Sequence, residues 1–235
     1  MTRRLMLLRH GQTDYNATRR MQGHLDTELS TIGVEQAQMA ADYLATHPIG
    51  KILCSDLSRA RVTAEIIGRA VGIEPEIDPR LRETNLGVWQ AKTHQEVDTE
   101  YPGARAAWRH DATWAPPEGE SRVQVAGRAR SVIDELMHSF DEWDNTTVLV
   151  VAHGGTISAL TSSLLDLSVW QYPMFSGLGN TCWAQLTARP RLIVGSNDAD
   201  GQGDEVPPSA MFDASNVAGA QWYLDGWNMG VALGR

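Results

Sequence analysis

Cysteine, lysine and long apolar runs are scarce in this 235-residue sequence, and each shortage excludes something. Two cysteines, Cys54 and Cys182, are too few and too far apart for a disulfide framework; with no leader ahead of them they point to the cytoplasm. Met1-Thr-Arg-Arg-Leu-Met-Leu-Leu8 sets charge before four apolar residues, but Arg9 and His10 end that run before it reaches the length of a signal core. No stretch approaches the roughly 20 apolar residues of a membrane helix. A basic excess is missing too: the formal charge is −9, with 17 Lys+Arg against 17 Asp+Glu in residues 1–130 and 3 against 12 in residues 131–235. A polyanionic partner, nucleic acid or an anionic membrane, needs a net basic surface and is excluded as the main one. A local cationic pocket for a small anion stays open. Only Lys51 and Lys92 are lysines, so 18 of the 20 cations are arginine. That fits either bidentate phosphate binding or the codon bias of a GC-rich genome.

What is present is a globular composition, 42% hydrophobic and 21% charged, with 21 Gly and 10 Pro. Short apolar runs alternate with helical spacing, the pattern of an α/β domain. Leu5–Leu8 predicts a strand buried on both faces, because its apolar residues do not alternate with polar ones. From Ser30, Val34, Ala37, Ala41 and Leu44 predict a helix, stopped at His47-Pro48. Lys51–Cys54 reads as a second strand, Ala60, Ala64, Ile67 and Val71 as the buried face of a second helix ended by Gly72, and 74–78 as an edge strand. Residues 84–120 are the least periodic, broken by Pro102-Gly103, Pro116-Pro117 and Gly119, and read as a cap-like excursion over the sheet. A long helix over 121–140 follows, with Val125, Ala129, Val132, Leu136 and Phe140 inward. Then come a strand at Thr147–Ala152, a helix bearing Ile157, Leu160 and Leu164, strands at 182–187 and 191–194, a Gly/Asp/Pro-rich loop at 196–210, and a return through Gln221–Leu224. No repeat or linker divides the chain, which predicts one domain over 1–235.

Three strands end in polar or cationic residues: Arg9-His10-Gly11, Ser55-Asp56 leading to Arg59, and His153-Gly154-Gly155. Parallel strands deliver their carboxyl ends to one rim, where ligands of open α/β sheets bind and helices begin with free N–H groups. Two histidines and two arginines then converge on a site sized for one phosphoryl group. His10 is the expected nucleophile, since a neutral imidazole can attack phosphorus and carry the group covalently. Gly11 keeps a Cβ away from the phosphate, Arg9 and Arg59 offer forks to its oxygens, and His153, if protonated, adds charge. Glu83 is the expected proton donor to the leaving alkoxide. Asn16 and Gln22 are neutral donors for phosphate or the substrate body. Each residue has a structural reading as well: a satisfied strand-end histidine, solvated helix charges at Arg59 and Arg61, and a surface pair at Arg82-Glu83. Four separate segments placing phosphate chemistry on one rim outweigh those readings taken singly.

Arg9-His-Gly-Gln-Thr-Asp-Tyr-Asn16, Gln22-Gly23, Ser55-Asp-Leu-Ser-Arg-Ala60 with Thr63-Ala64, Leu81-Arg-Glu83 and Val151-Ala-His-Gly-Gly155 resemble, in order and spacing, the signature set of the histidine phosphatase superfamily. The resemblance implies a three-layer α/β/α sandwich with a mostly parallel central sheet, the phosphoglycerate mutase-like fold. It implies a phosphohistidine at His10, phosphate clamped by Arg9, Arg59 and His153 with Gly23 and Gly154 close to the substrate, Glu83 as acid and then base, and neither metal nor other cofactor. Cofactor-dependent mutases of the superfamily carry Glu-Arg-His-Tyr-Gly and a long insertion where this chain has Glu83-Thr-Asn-Leu-Gly87, which favours a phosphatase over a mutase.

The excursion holds Trp89, Trp108 and Trp114 beside Arg105 and Arg109. Indole faces suit a sugar ring and arginine suits a carboxylate, so Trp114, Arg105 and Arg109 are candidate contacts for a phosphorylated sugar acid; packing of the cap is the alternative. Leu81–Gln90, Pro102-Gly-Ala-Arg105, Asp111–Pro116 and Gly119-Glu-Ser-Arg122 resemble the actinobacterial phosphatases of glucosyl-3-phosphoglycerate. That resemblance implies release of glucosylglycerate, a step toward methylglucose polysaccharides, and a homodimer. A non-catalytic phospholigand sensor need not keep both His10 and Glu83, a protein phosphatase would want an open site, and a broad acid phosphatase would want a leader.

Overall fold

The computed structural model describes residues 2–191, 211–214 and 216–231. Along the chain run β1 (Arg3–Arg9), α1 (Asp14–Ala17), α2 (Thr31–Leu44), β2 (Ile49–Cys54), α3 (Ser58–Val71), β3 (Glu76–Ile77), α4 (His94–Glu100), α5 (Ala104–His110), α6 (Arg122–Ser139), β4 (Thr147–Ala152), α7 (Gly154–Leu164), β5 (Trp183–Arg189) and β6 (Gln221–Met229). The six strands form one sheet in the order β3-β2-β4-β1-β5-β6. β1 to β4 are parallel to their neighbours among themselves, while β5 and β6 are antiparallel.

The uninterrupted apolar runs follow from a sheet covered on both sides. Leu5 and Leu7 of β1 and Val148, Val150 and Ala152 of β4 enter the core shared with α6 and α7. Met6 and Leu8 of β1 and Leu149 and Val151 of β4 enter the core shared with α2 and α3. Successive side chains of one strand thus serve opposite faces, and a helix layer on each face makes the three-layer α/β/α fold. Helix ends obey local chemistry. Ser30 caps α2 by accepting from the Gly33 N–H, and Gly72 ends α3 in the left-handed region at φ 76°. No helix among the described residues is long and apolar enough to cross a membrane.

The structure revises several sequence expectations. Val34 is exposed at 44%, and α2 instead buries Gly33, Ala37, Ala40, Ala41 and Leu44. The cause is backbone packing: a Cβ on Gly33 would overlap the Gln12 carbonyl oxygen, so α2 turns this glycine, not the next residue, toward the loop that follows His10. Residues 84–120 contain two seven-residue helices, α4 and α5, the former started by a Thr93–Glu96 capping box that the breakers obscured. β6 runs to Met229, past the expected Leu224. The Gly/Asp/Pro-rich loop at 196–210 and most of the strand expected at 191–194 lie outside the described residues.

Candidate active site

β2, β4 and β1 are adjacent and parallel, so Ser55, His153 and His10 emerge side by side from one rim. The His10 and His153 rings meet edge to face with centroids 5.2 Å apart, and both residues are buried. His10 is fastened on all sides of its backbone: its N–H donates to the Ala152 carbonyl (3.0 Å), and its carbonyl accepts from Asn180 Nδ2 (3.0 Å). Its Nδ1 lies 2.6 Å from the Gly11 carbonyl oxygen. A carbonyl only accepts, so Nδ1 carries the ring proton and Nε2 is left with the lone pair. His153 differs, since neither ring nitrogen has a protein partner.

Arg59 is fully buried near the start of α3, where the sequence alone allowed a solvated charge. Its Nη1 donates to the Leu25 carbonyl (2.7 Å) and its Nη2 to the Gly23 carbonyl (2.8 Å), while Nε has no partner. Arg9 is similar, with Nη1 donating to the Leu178 carbonyl (2.5 Å) and Nε unpartnered. Thr63 links the two segments by donating to the Arg59 carbonyl (2.7 Å) and accepting from the Gly11 N–H (3.1 Å). Buried donors without partners are unusual, and two of them, Arg9 Nε and Arg59 Nε, belong to guanidinium groups whose charges act on the His10 ring.

Glu83 stands over the first turn of α7. Its Oε2 accepts from Gly155 N–H (3.1 Å) and its Oε1 from Thr156 N–H (3.2 Å) and Thr84 N–H (2.7 Å). A Cβ at Gly155 would come within 2.5 Å of Glu83 Oε1, which explains the glycine. Asn16 and Gln22 use their amide oxygens inward: Asn16 Oδ1 accepts from Thr13 N–H (3.1 Å) and Asn180 Nδ2 (3.2 Å), and Gln22 Oε1 from Thr27 Oγ1 (2.5 Å). Their NH₂ groups remain free to donate. Gly23 adopts φ 56°, and a side chain there would strike Gln90. At Gly154 a Cβ would make only ordinary contact with Arg9. Among the described residues no three His, Cys, Asp or Glu side chains gather as a metal requires.

Burial, helped by Arg9 and Arg59, pushes the His10 imidazole well below its usual 6.5, and burial with Arg59 does the same to His153. Both are neutral at pH 7 in the free site. Burial also lowers Arg59, to about 10, which leaves it charged. Stability inherits this. The unfolded chain takes up protons as pH falls through 6.5, while the folded chain binds none on these rings until lower pH, so each histidine removes about 1.4 kcal/mol per pH unit below about 6.5. Urea midpoints are expected to fall between about pH 7.5 and about pH 5.5 and to be flat above that range; a midpoint unchanged across it would show that the rings stay hydrated.

Other expectations meet the structure less well. Arg82 does not pair with Glu83 but with Asp56, its Nε and Nη2 lying 2.8 and 2.5 Å from the two carboxylate oxygens. Arg61 pairs with Glu65 along α3. Trp114 and Arg105 find their partners within the excursion, at Trp89 and Asp98. Trp89 is fully buried and packs against Trp114 (5.5 Å between centroids) and Trp108 (6.0 Å), beside Met21, Leu86 and Val97. The excursion needs a small core of its own, and the indoles supply it. Arg105 Nε and Nη2 hold Asp98 at 2.7 and 2.5 Å, and Arg109 is exposed. Sequence reasoning missed Asn180, His24, Glu120 and Arg128. Only Asn180, after Gly179 and just before β5, had a turn signal.

Residues 5–194 match the model of the histidine phosphatase superfamily (branch 1). The chain is 48% identical over 230 residues to the glucosyl-3-phosphoglycerate phosphatase of Mycolicibacterium vanbaalenii, covering 96% of this chain and 94% of that protein. It is 46% identical over 231 residues to the protein of the same name from Mycobacterium tuberculosis, with the same coverage. Among solved structures, mycobacterial glucosyl-3-phosphoglycerate phosphatase in complex with VO3 superposes with a TM-score of 0.83 at 45% identity, covering 97% of this chain and all of that one.

Proposed function

The chain belongs to the histidine phosphatase superfamily, and we propose that it is a phosphatase that removes phosphate from glucosyl-3-phosphoglycerate through a phosphohistidine at His10. The observation that carries the chemistry is the Nδ1–H bond of His10 to the Gly11 carbonyl, which leaves a bare Nε2 lone pair on a ring that feels Arg9 and Arg59, whose Nε atoms are buried and unpartnered. The substrate rests on the identity to phosphatases of that name over 96% of the chain, well past the last motif.

In the first step His10 Nε2 attacks phosphorus, the bond from phosphorus to the glycerate oxygen breaks, and Glu83 gives its proton to the leaving oxygen. In the second, water attacks the phosphohistidine, Glu83 takes the water proton, and the P–N bond breaks to return His10 and release phosphate. Arg9 Nε, Arg59 Nε, the Gly154 N–H and the amide nitrogens of Asn16 and Gln22 are assigned to the non-bridging oxygens, with Gly23 as the brace of Arg59. His153 takes up a proton beside the bound anion and adds its charge. The product, glucosylglycerate, feeds methylglucose polysaccharide synthesis in this reading. A homodimer is part of it too, supported by the edge position of β6 with Tyr223 (49%) and Met229 (38%) exposed. A cytoplasmic location fits two unpaired thiols.

A phosphate-release panel tests the reading: glucosyl-3-phosphoglycerate, mannosyl-3-phosphoglycerate, 3-phosphoglycerate, fructose 2,6-bisphosphate and a phosphopeptide. The glucosyl substrate is expected to lead in kcat/KM by roughly tenfold or more, the discrimination a few placed contacts provide. Equal turnover across the panel would sink the specific substrate, and transfer of phosphate between the oxygens of phosphoglycerate would restore the mutase reading.

A further inference from the structure

The strongest unexplained feature outside the phosphate site is a partly buried guanidinium whose five N–H groups are all engaged. Arg128, in the middle of α6, donates through Nη1 to the carbonyls of Arg80 (2.6 Å) and Arg82 (2.7 Å). Through Nη2 it reaches the carbonyl of Glu83 (2.8 Å) and Glu120 Oε2 (3.1 Å), and through Nε Glu120 Oε1 (3.0 Å). Glu120 in turn accepts from the Asn85 N–H (2.8 Å), and His24 Nε2 donates to the same Glu83 carbonyl (2.8 Å). The Arg82 carbonyl also accepts from Thr156 Oγ1 (2.6 Å). The backbone of residues 80–85 has no regular structure beyond one short turn, yet its carbonyls at 80, 82 and 83 converge on one side chain.

We propose that Arg128, locked by Glu120, is the positioning residue that sets where the Glu83 carboxyl stands at the first turn of α7, beside Arg9 and Arg59. It touches no reacting atom. It holds the main chain on which Glu83 is mounted, while the N–H groups of Gly155 and Thr156 hold the carboxyl end. With both ends anchored the side chain has little freedom, and proton transfer is sensitive to small displacements of the donor. A lysine ammonium at 128 keeps the charge but cannot span three carbonyls and a carboxylate at once, because the planar fork is what matches their spread.

The inference rests on Glu83 being the acid, and the experiment separates the two. Arg128→Ala, Arg128→Lys, Glu120→Gln and Glu83→Gln are assayed on glucosyl-3-phosphoglycerate, whose alkoxide must be protonated, and on para-nitrophenyl phosphate, whose leaving group scarcely needs a proton. Both Arg128 variants are expected to lose about 10²-fold in kcat on the former and less than about 5-fold on the latter. Adding Glu83→Gln to Arg128→Ala is expected to cost little more on the alkyl substrate, because both changes disable one step. Equal losses on both substrates, no loss on either, or full recovery in Arg128→Lys would each overturn the proposal. If Glu83→Gln itself shows no leaving-group dependence, the acid reading fails and the clamp falls with it. If Glu83→Gln shows it and the Arg128 variants do not, only the clamp fails. Should Arg128→Ala not fold, Arg128→Lys and Glu120→Gln carry the same comparison.

Discussion

His10→Ala is expected to lower phosphate release by at least about 10⁴-fold, with the folded state retained, because removing a covalent nucleophile leaves only binding and electrostatic assistance. The sharper form of this prediction compares the two histidines. They stand 5.2 Å apart, both buried and both with the imidazole pushed well below 6.5. On burial and charge alone either could attack. Hydrogen bonding separates them. The Gly11 carbonyl takes the Nδ1 proton of His10 and orients its Nε2, whereas His153 has no group to fix its tautomer. Wild-type enzyme quenched in alkali after brief exposure to substrate labelled in its phosphate should therefore carry an acid-labile, base-stable label. The label should persist in His153→Ala, with slower turnover, and be absent in His10→Ala. Label in His10→Ala, or turnover near that of the wild type, would exchange the roles of the two rings. The alanine variant should also be less sensitive to acid, because one of the two depressed imidazoles is gone and the folded chain no longer binds fewer protons at that position.

The reach of sequence reasoning can be judged from these same residues. The rim was legible because a sheet covered on both faces writes its strands as unbroken apolar runs, and each run ends where the chemistry begins: Leu8 before Arg9 and Ala152 before His153. Arg59 was legible for a different reason, its place in a spaced motif. As a helix residue it is indistinguishable from Arg61, which pairs with Glu65 on the surface. The tryptophans show the opposite. An indole that stacks on a sugar and one that fills a core have the same sequence, and the 5.5 and 6.0 Å packing around fully buried Trp89 assigns that indole to the core. Arg128 was not legible at all. Its partners are main-chain carbonyls more than forty residues away, and a carbonyl has no identity in a sequence. Gly33 belongs to the same class: it permits close approach to the Gln12 main chain, so it supports the loop after His10 without any chemistry of its own.

Arg59→Ala is expected to reduce kcat/KM by about 10³-fold, with KM for the phosphate ester rising, the upper range for losing one preorganised donor. Two roles coincide in this side chain. Its Nη atoms brace the carbonyls of Gly23 and Leu25, and so hold the loop that carries Gln22, whereas its unpartnered Nε is the group assigned to phosphate. Truncation removes a charge at the site and releases the buried Gly23 carbonyl and the partly buried Leu25 carbonyl from their donor. Arg59→Lys separates the roles. Lysine restores a positive charge, but one ammonium cannot reach two carbonyls and a phosphate oxygen together. Lysine is therefore expected to recover less than about tenfold of the loss. The urea midpoint distinguishes the contributions: if bracing dominates, both variants lose stability in proportion to activity, and if phosphate binding dominates, activity falls much further than stability. Inorganic phosphate supplies the second readout. It binds the folded site and not the unfolded chain, so it should raise the midpoint of the native protein, by RT ln(1 + [L]/Kd), and do so far less for Arg59→Ala. Equal stabilisation of the two by phosphate would remove Arg59 from the anion site and leave it as the brace of residues 22–27 alone.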